Sequence, residues 1–279
     1  MHTLRVFMVA VSLVLGASGQ EGDVIALYKQ AGARITTDRE GHAIKLFSGG
    51  KPAHSTAELQ RIGELAHLEE LALNAPEAGD HEWFFLRKLP KLRQLTIWHC
   101  KTFTSLKPFN DLAIEGLTVG GCMGIRDLNK NAPARQRDAV LTLRGLPNLR
   151  RLNLYHSPLA PDDAHLVHIA GEFPKLEDLK LDFSAPRGSQ TSITPSGLRA
   201  LKTLPLKVLS MENVHSFTPA HMAAIGEIHS LEAVLIDARR GPEDVTPLVN
   251  ALKAIRPDLE IVAAGKDAKG PPARARRKQ

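Results

Sequence analysis

Three groups of side chains in this sequence have the types and spacing to do chemistry. In HLVH, His165 and His168 fall one turn apart on a helix with Glu172 one turn further, a spacing that can grip a metal ion. Such an ion would need a third ligand from elsewhere. Leu166 and Ile169 beside the histidines face a core, so the two rings are expected on the solvent side, and no metal or other cofactor is expected. Cys100 and Cys122 close two segments of one pattern, LRQLTIWHC and IEGLTVGGC. On adjacent strands about 4.8 Å apart their Cα atoms are near enough for a disulfide. In-register strands seldom aim both Cβ atoms correctly, so two buried thiols are the simpler reading, and the pairing stays open. The third group comprises Trp98, His99, Arg151, Tyr155 and His156, then Asp182, Glu212 and Asp237. Trp, Tyr and Arg bury much area while keeping a polar handle, which suits recognition. GxGxxG, the P-loop, GxSxG and HExxH do not occur, and the chain is read as a non-enzyme.

What positions the third group is a repeated frame: Leu, two variable residues, Leu, one variable residue, then Leu or Ile. LRQLTIWHC (92–100), LRRLNLYHS (149–157) and LEDLKLDFS (176–184) are clean copies. LEELALNAP (68–76) and IEGLTVGGC (114–122) keep the frame, LKVLSMENV (206–214) and LEAVLIDAR (231–239) are looser, and GHAIKLFSG (41–49) and DLEIV (258–262) retain the strand centre. On a strand the fourth and sixth places point the same way, inward. The third, fifth, seventh and eighth places are expected to leave the sheet toward solvent. The seventh place reads Phe47, Asn74, Trp98, Gly120, Tyr155, Asp182, Glu212 and Asp237, with aromatics early and carboxylates late. Trp98 and Tyr155, with Gly120 between them, would wall a groove to which His99, His156 and Arg151 supply hydrogen-bond donors.

Helix signals alternate with these strands. Ser55 and Glu58 form a capping box. Thr194-Pro195, Thr218-Pro219 and Thr246-Pro247 each read as an N-cap followed by proline at the first helical position. The frame returns every 22 to 35 residues, the longest interval holding the charged stretch 124–138, which reads as a surface excursion.

This pattern resembles the leucine-rich-repeat family, in its helix-backed, cysteine-containing style found in exported bacterial proteins, over about residues 41–263. The resemblance implies an α/β solenoid, a horseshoe with a parallel sheet on the concave side and helices on the convex side. Stacked copies bury a continuous aliphatic core that one copy could not.

The ends are read separately. Arg5, an apolar run from Val6 to Leu15, and small residues up to Gly19 make residues 1–19 a signal peptide, with no transmembrane span and an exported mature chain beginning at Gln20. Residues 20–50 are expected to form an N-terminal cap: a helix from Val24 to Ala31, then a hairpin turning between Asp38 and Gly41. Repeats fill 51–246 and a C-terminal cap 247–264. Residues 265–279 form a basic tail too poor in apolar residues to fold. Its six cations against Asp267, with Arg5, account for the whole net charge of +6, so no specific nucleic-acid partner is inferred from the high pI. The function expected is non-catalytic recognition or scaffolding outside the cytoplasm, with a protein or polysaccharide on the concave sheet. The alternative is an envelope-associated structural protein held to anionic polymer or lipid by its basic tail.

Overall fold

The computed structural model describes residues 7–49, 54–75, 77–100, 105–121, 139–154, 162–182, 193–214, 216–237 and 244–264. Cys122, Tyr155, His156, the stretch 124–138 and the tail 265–279 lie outside the described residues. The protein is α/β. Ten strands form one sheet in strict sequence order; the first pair is antiparallel and every later pair parallel.

The chain enters through one helix, α1 (Phe7–Gln30), longer than the short helix expected from Val24. Gly32, at φ 81, ends it: the Gly32 N–H bonds to Lys29 O at 2.9 Å and the Ala33 N–H to Tyr28 O at 2.9 Å. This paired closure needs a left-handed residue after the helix, which glycine adopts without strain. Strands β1 (Arg34–Thr37) and β2 (Ala43–Ser48) follow as a hairpin. Its turn is held by Asp38, whose Oδ1 accepts the Glu40 and His42 N–H groups at 3.1 and 2.9 Å.

From β2 onward the strands stack in register: β3 (Glu70–Asn74), β4 (Gln94–Trp98), β5 (Gly116–Gly120), β6 (Arg151–Leu154), β7 (Asp178–Asp182), β8 (Val208–Glu212), β9 (Ala233–Asp237) and β10 (Glu260–Ala264). The fourth places of the frame form one row, Leu71, Leu95, Leu117, Leu152, Leu179, Leu209 and Val234, all buried. Leu73, Ile97, Val119, Leu154, Leu181, Met211 and Ile236 make a second buried row at the sixth place. The first places, Leu68, Leu92, Ile114, Leu149, Leu176, Leu206 and Leu231, seal the entry to each strand.

The helices cover this apolar face. Helix α2 (Thr56–Arg61) begins with the Ser55–Glu58 capping box, the Ser55 N–H reaching Glu58 Oε2 at 2.7 Å. Further along, α3 (Asp163–Glu172), α4 (Pro195–Arg199), α5 (Pro219–Gly226) and α6 (Thr246–Ile255) pack each against the next. Thr194 caps α4, its Oγ1 accepting the Ser196 N–H at 3.1 Å. At the third Thr-Pro pair the capping differs from expectation. Thr246 is the first residue of α6 rather than its N-cap, and Asp244 Oδ1 accepts both its N–H, at 2.9 Å, and its hydroxyl. Among the described residues no helix is long and apolar enough to cross a membrane.

A second register device runs along the strand entries. The second places read Glu69, Arg93, Glu115, Arg150, Glu177, Lys207 and Glu232, alternating in sign, and successive members are joined by backbone hydrogen bonds of 2.8 Å. Arg93 lies 3.8 Å from Glu115, Arg150 bonds Glu177, and Lys207 lies 3.5 Å from Glu177. Each exposed pair stabilises by at most about 1 kcal/mol. Skipping a single strand would put like charges side by side, so the ladder also disfavours that misordering.

Candidate functional site

The sheet face away from the helices carries the third, fifth and seventh places. Over its first strands these side chains surround a groove of about 300 Å³. Ala72 on β3 and Thr96 on β4 form its floor, small enough to leave space above the sheet. Arg34 and Thr36 on β1 and Lys45 and Phe47 on β2 make one side, and Leu46, Glu70, Leu71 and Gln94 also line it.

Phe47 dominates the site, and its position corrects the sequence alignment. It was expected at the seventh place, beside Asn74, but β2 sits two residues further along: Leu46 pairs with Leu71, Phe47 with Ala72 and Ser48 with Leu73. A two-residue slip preserves which side chains point inward, so alternation could not detect it. The inward sixth place of β2 is therefore Ser48, whose hydroxyl bonds buried His54 Nε2 at 2.8 Å. Phe47 remains on the open face, 36% exposed. The Arg34 guanidinium lies 4.2 Å from its ring centroid, and Trp98 meets it edge-on at 5.5 Å across β3. On the same strand as Phe47, Lys45 Nζ pairs with Glu70 Oε1 at 2.7 Å, and that hydrogen bond holds the ammonium pKa above its usual range.

Trp98 is half-buried against Phe47, just outside the groove's lining. His99 follows with a left-handed backbone, φ 57, and its exposed ring stands 3.3 Å, Nδ1 to Oδ1, from the Asn74 side chain. Gly121 (φ 58) lies under that ring: a Cβ there would come within 3.0 Å of it. Arg151 is exposed and already engaged, 3.4 Å from Asp178 Oδ2 and 3.5 Å from Gln94 Oε1. It reaches Gln94 across β5 because Gly116 has no side chain; a Cβ there would collide with the amide at 2.0 Å. Gly120 does stand beside Trp98, but the facing wall proposed for that second groove, Tyr155 with His156, lies outside the described residues.

Asp182, Glu212 and Asp237 stand side by side on β7, β8 and β9, as the frame requires. They are buried, however, at 4%, 4% and 9% exposure, where alternation alone placed them toward solvent. Neighbouring side chains close over them. Asn213, left-handed at φ 58, donates its Nδ2 to Asp182 at 2.7 Å, and Lys180 Nζ pairs with Glu212 at 2.8 Å.

The histidines of HLVH are also structural. His165 is buried at the third position of α3, where it completes a capping box with Asp162, rather than facing solvent. His168 Nε2 donates to Leu143 O at 2.8 Å, tying α3 to the preceding segment. Cys100 is buried. Sequence reasoning missed Arg34, Thr36 and Lys45, because only the hairpin's pairing with β3 carries them to the groove. No protein-family model matches the chain, and no curated protein matches it.

Proposed function

We propose that the chain is a leucine-rich-repeat solenoid, a horseshoe with the sheet on its concave side, acting outside the cytoplasm as a non-catalytic recognition module for a protein or polysaccharide. The observation that carries this reading is the groove over β2–β4, with a floor of Ala72 and Thr96, the Phe47–Trp98 aromatic pair at its edge and the Arg34 guanidinium beside it. The sheet's backbone groups are spent on its own ladder, so recognition there must come from side chains. An aromatic pair supplies buried area, and polar groups on the rim supply orientation. The charged lining supports binding over turnover: Lys45 and Glu70 neutralise each other, which orients a ligand but leaves little drive for proton transfer.

The test is affinity capture from host surface extract, fractionated into protein and glycan, with the wild type, Phe47→Ala and Trp98→Ala. Each variant should lose at least about five-fold in affinity, equivalent to roughly 1 kcal/mol, with its melting temperature nearly unchanged. Capture unaffected by both substitutions would remove the groove from the proposal. N-terminal sequencing of protein from the native host should begin at or near Gln20; an intact Met1 would remove export.

A further inference from the structure

Where α1 meets the hairpin and the approach to β3, three donors converge from distant parts of the chain. Glu21 comes from α1, His42 immediately precedes β2, and His67 lies on the segment leading into β3. One ligand atom from each lies within 4.8 Å of the other two. Glu21 is anchored by one oxygen, Oε1, which accepts the Ala43 N–H at 2.8 Å. Its other oxygen, Oε2, faces His42 Nδ1 at 2.8 Å. The His42 and His67 rings stack, with centroids 3.9 Å apart and planes 27° from parallel.

His67 Nδ1 is the atom that this packing leaves unexplained. It is buried and makes no hydrogen bond. A buried polar atom left unsatisfied costs about 1–3 kcal/mol. A purely aromatic ring would stack on His42 without that cost. The His67 ring offers a nitrogen within 4.8 Å of the Glu21 and His42 ligand atoms, an arrangement that has a use when a cation sits among them.

We propose that Glu21, His42 and His67 form a binding site for a divalent transition metal of the zinc class. Two neutral imidazoles and one carboxylate are a donor set that suits zinc, with water able to fill a fourth place. Magnesium and calcium prefer all-oxygen surroundings and are disfavoured. Bonds of about 2.0–2.1 Å put tetrahedral ligand atoms roughly 3.4 Å apart, so Glu21 Oε2 and His42 Nδ1, now in hydrogen-bond contact at 2.8 Å, must part slightly to admit the ion while the His67 nitrogen adjusts to meet it. Two nearly parallel rings cannot both aim a lone pair at one ion. The His67 ring therefore turns as the metal enters, and its Nδ1 has no hydrogen bond to break. Glu21 keeps its grip on Ala43 through Oε1 and offers Oε2 to the ion, its direction fixed by that backbone bond. The ion would join helix, hairpin and first parallel strand at one point.

The experiment uses the full chain without an affinity tag, stripped with chelator. Titrated cobalt(II) should bind at one equivalent and develop the visible absorption of a low-symmetry four-coordinate site, and zinc should displace it and raise the melting temperature. His67→Gln, His42→Gln and Glu21→Gln should each weaken zinc binding at least about ten- to a hundred-fold, the range for disturbing a metal site. His229→Gln, an exposed histidine elsewhere, should leave it unchanged. Circular dichroism of the metal-free variants separates lost ligation from lost folding. X-ray absorption of the zinc-loaded wild type should show only nitrogen and oxygen neighbours with imidazole scattering. Absence of stoichiometric binding, equal affinity in the wild type and all three triad variants, or a sulfur shell would overturn the proposal.

Discussion

Gly197→Ala sets two effects of opposite sign against each other. Gly197 lies inside α4, and alanine there should gain at most about 0.8–1 kcal/mol from helix propensity. Against this, a Cβ at position 197 would fall 2.0 Å from Asp163 Oδ1, 2.4 Å from its Cγ and 2.9 Å from its Cβ. Rotating the carboxylate away does not relieve the last contact, and it has a cost of its own. Asp163 reaches from α3 to accept the Thr194 N–H at 2.8 Å and hydroxyl at 2.7 Å, and Thr194 in turn caps α4. Two charge-assisted bonds are lost, each worth about 1.5 kcal/mol at an exposed position. The balance is a loss of about 1–3 kcal/mol, or roughly 3–10 °C in melting temperature for a domain of this size. Urea and thermal melts should be recorded for the wild type, Gly197→Ala, Asp163→Ala and the double variant. In the Asp163→Ala background the same glycine change should cost less, because the carboxylate contacts and the two hydrogen bonds are already gone and only the 2.9 Å contact with the Cβ at position 163 remains to set against propensity. A Gly197→Ala protein more stable than the wild type, or an equal loss in both backgrounds, would refute the reasoning.

Other expected outcomes test the core, a cap and the tail. Leu152→Asp, between Leu117 and Leu179 with no exposure, should cost more than about 3 kcal/mol, whereas Arg150→Asp should cost about 0.5–1 by reversing one rung of the charge ladder; comparable melts would mean the inward rows are misassigned. Bonds from the Ser55 N–H and hydroxyl hold the Glu58 carboxyl below its usual pKa range. A depressed folded-state value means its contribution is present above the ordinary carboxylate range and is lost as pH falls through the lowered value. Glu58→Gln should therefore flatten that part of the acid-unfolding profile, and an unaltered profile would mean that the box contributes nothing. Truncation after Ala264 should keep the dichroism spectrum and melt, since the removed residues are mostly charged or small. Loss of envelope association in that truncation would favour tethering by the tail.

Much of the fold was legible because its information is periodic and local. Leu95 with Ile97, or Leu152 with Leu154, must face one way on a strand whatever surrounds them, and both pairs are buried. Ser55 with Glu58 and the turn at Asp38 are equally local, each needing partners only three or four residues away. The alternating charges from Glu69 to Glu232 were also present in the sequence, but they acquire meaning only when consecutive frames become adjacent strands.

The candidate site was less legible, for physical reasons that differ by residue. Alternation has a period of two, so it placed Phe47 on the correct face and could not exclude the slip that sets it beside Ala72. Face alone says nothing of burial: Asp182 and Glu212 leave the sheet on the open side, yet Asn213 and Lys180 cover and pair with them. His165 stands one residue before Leu166 on the helix, yet its place in the capping box draws it into the core rather than toward solvent. The grouping of Glu21, His42 and His67 depends on how α1 and the hairpin dock on the first parallel strand, a relation between segments more than 20 residues apart that no local spacing encodes. Periodicity determined which side chains face the core; tertiary packing decided which of the others come together, because burial and proximity are set by neighbours distant in sequence.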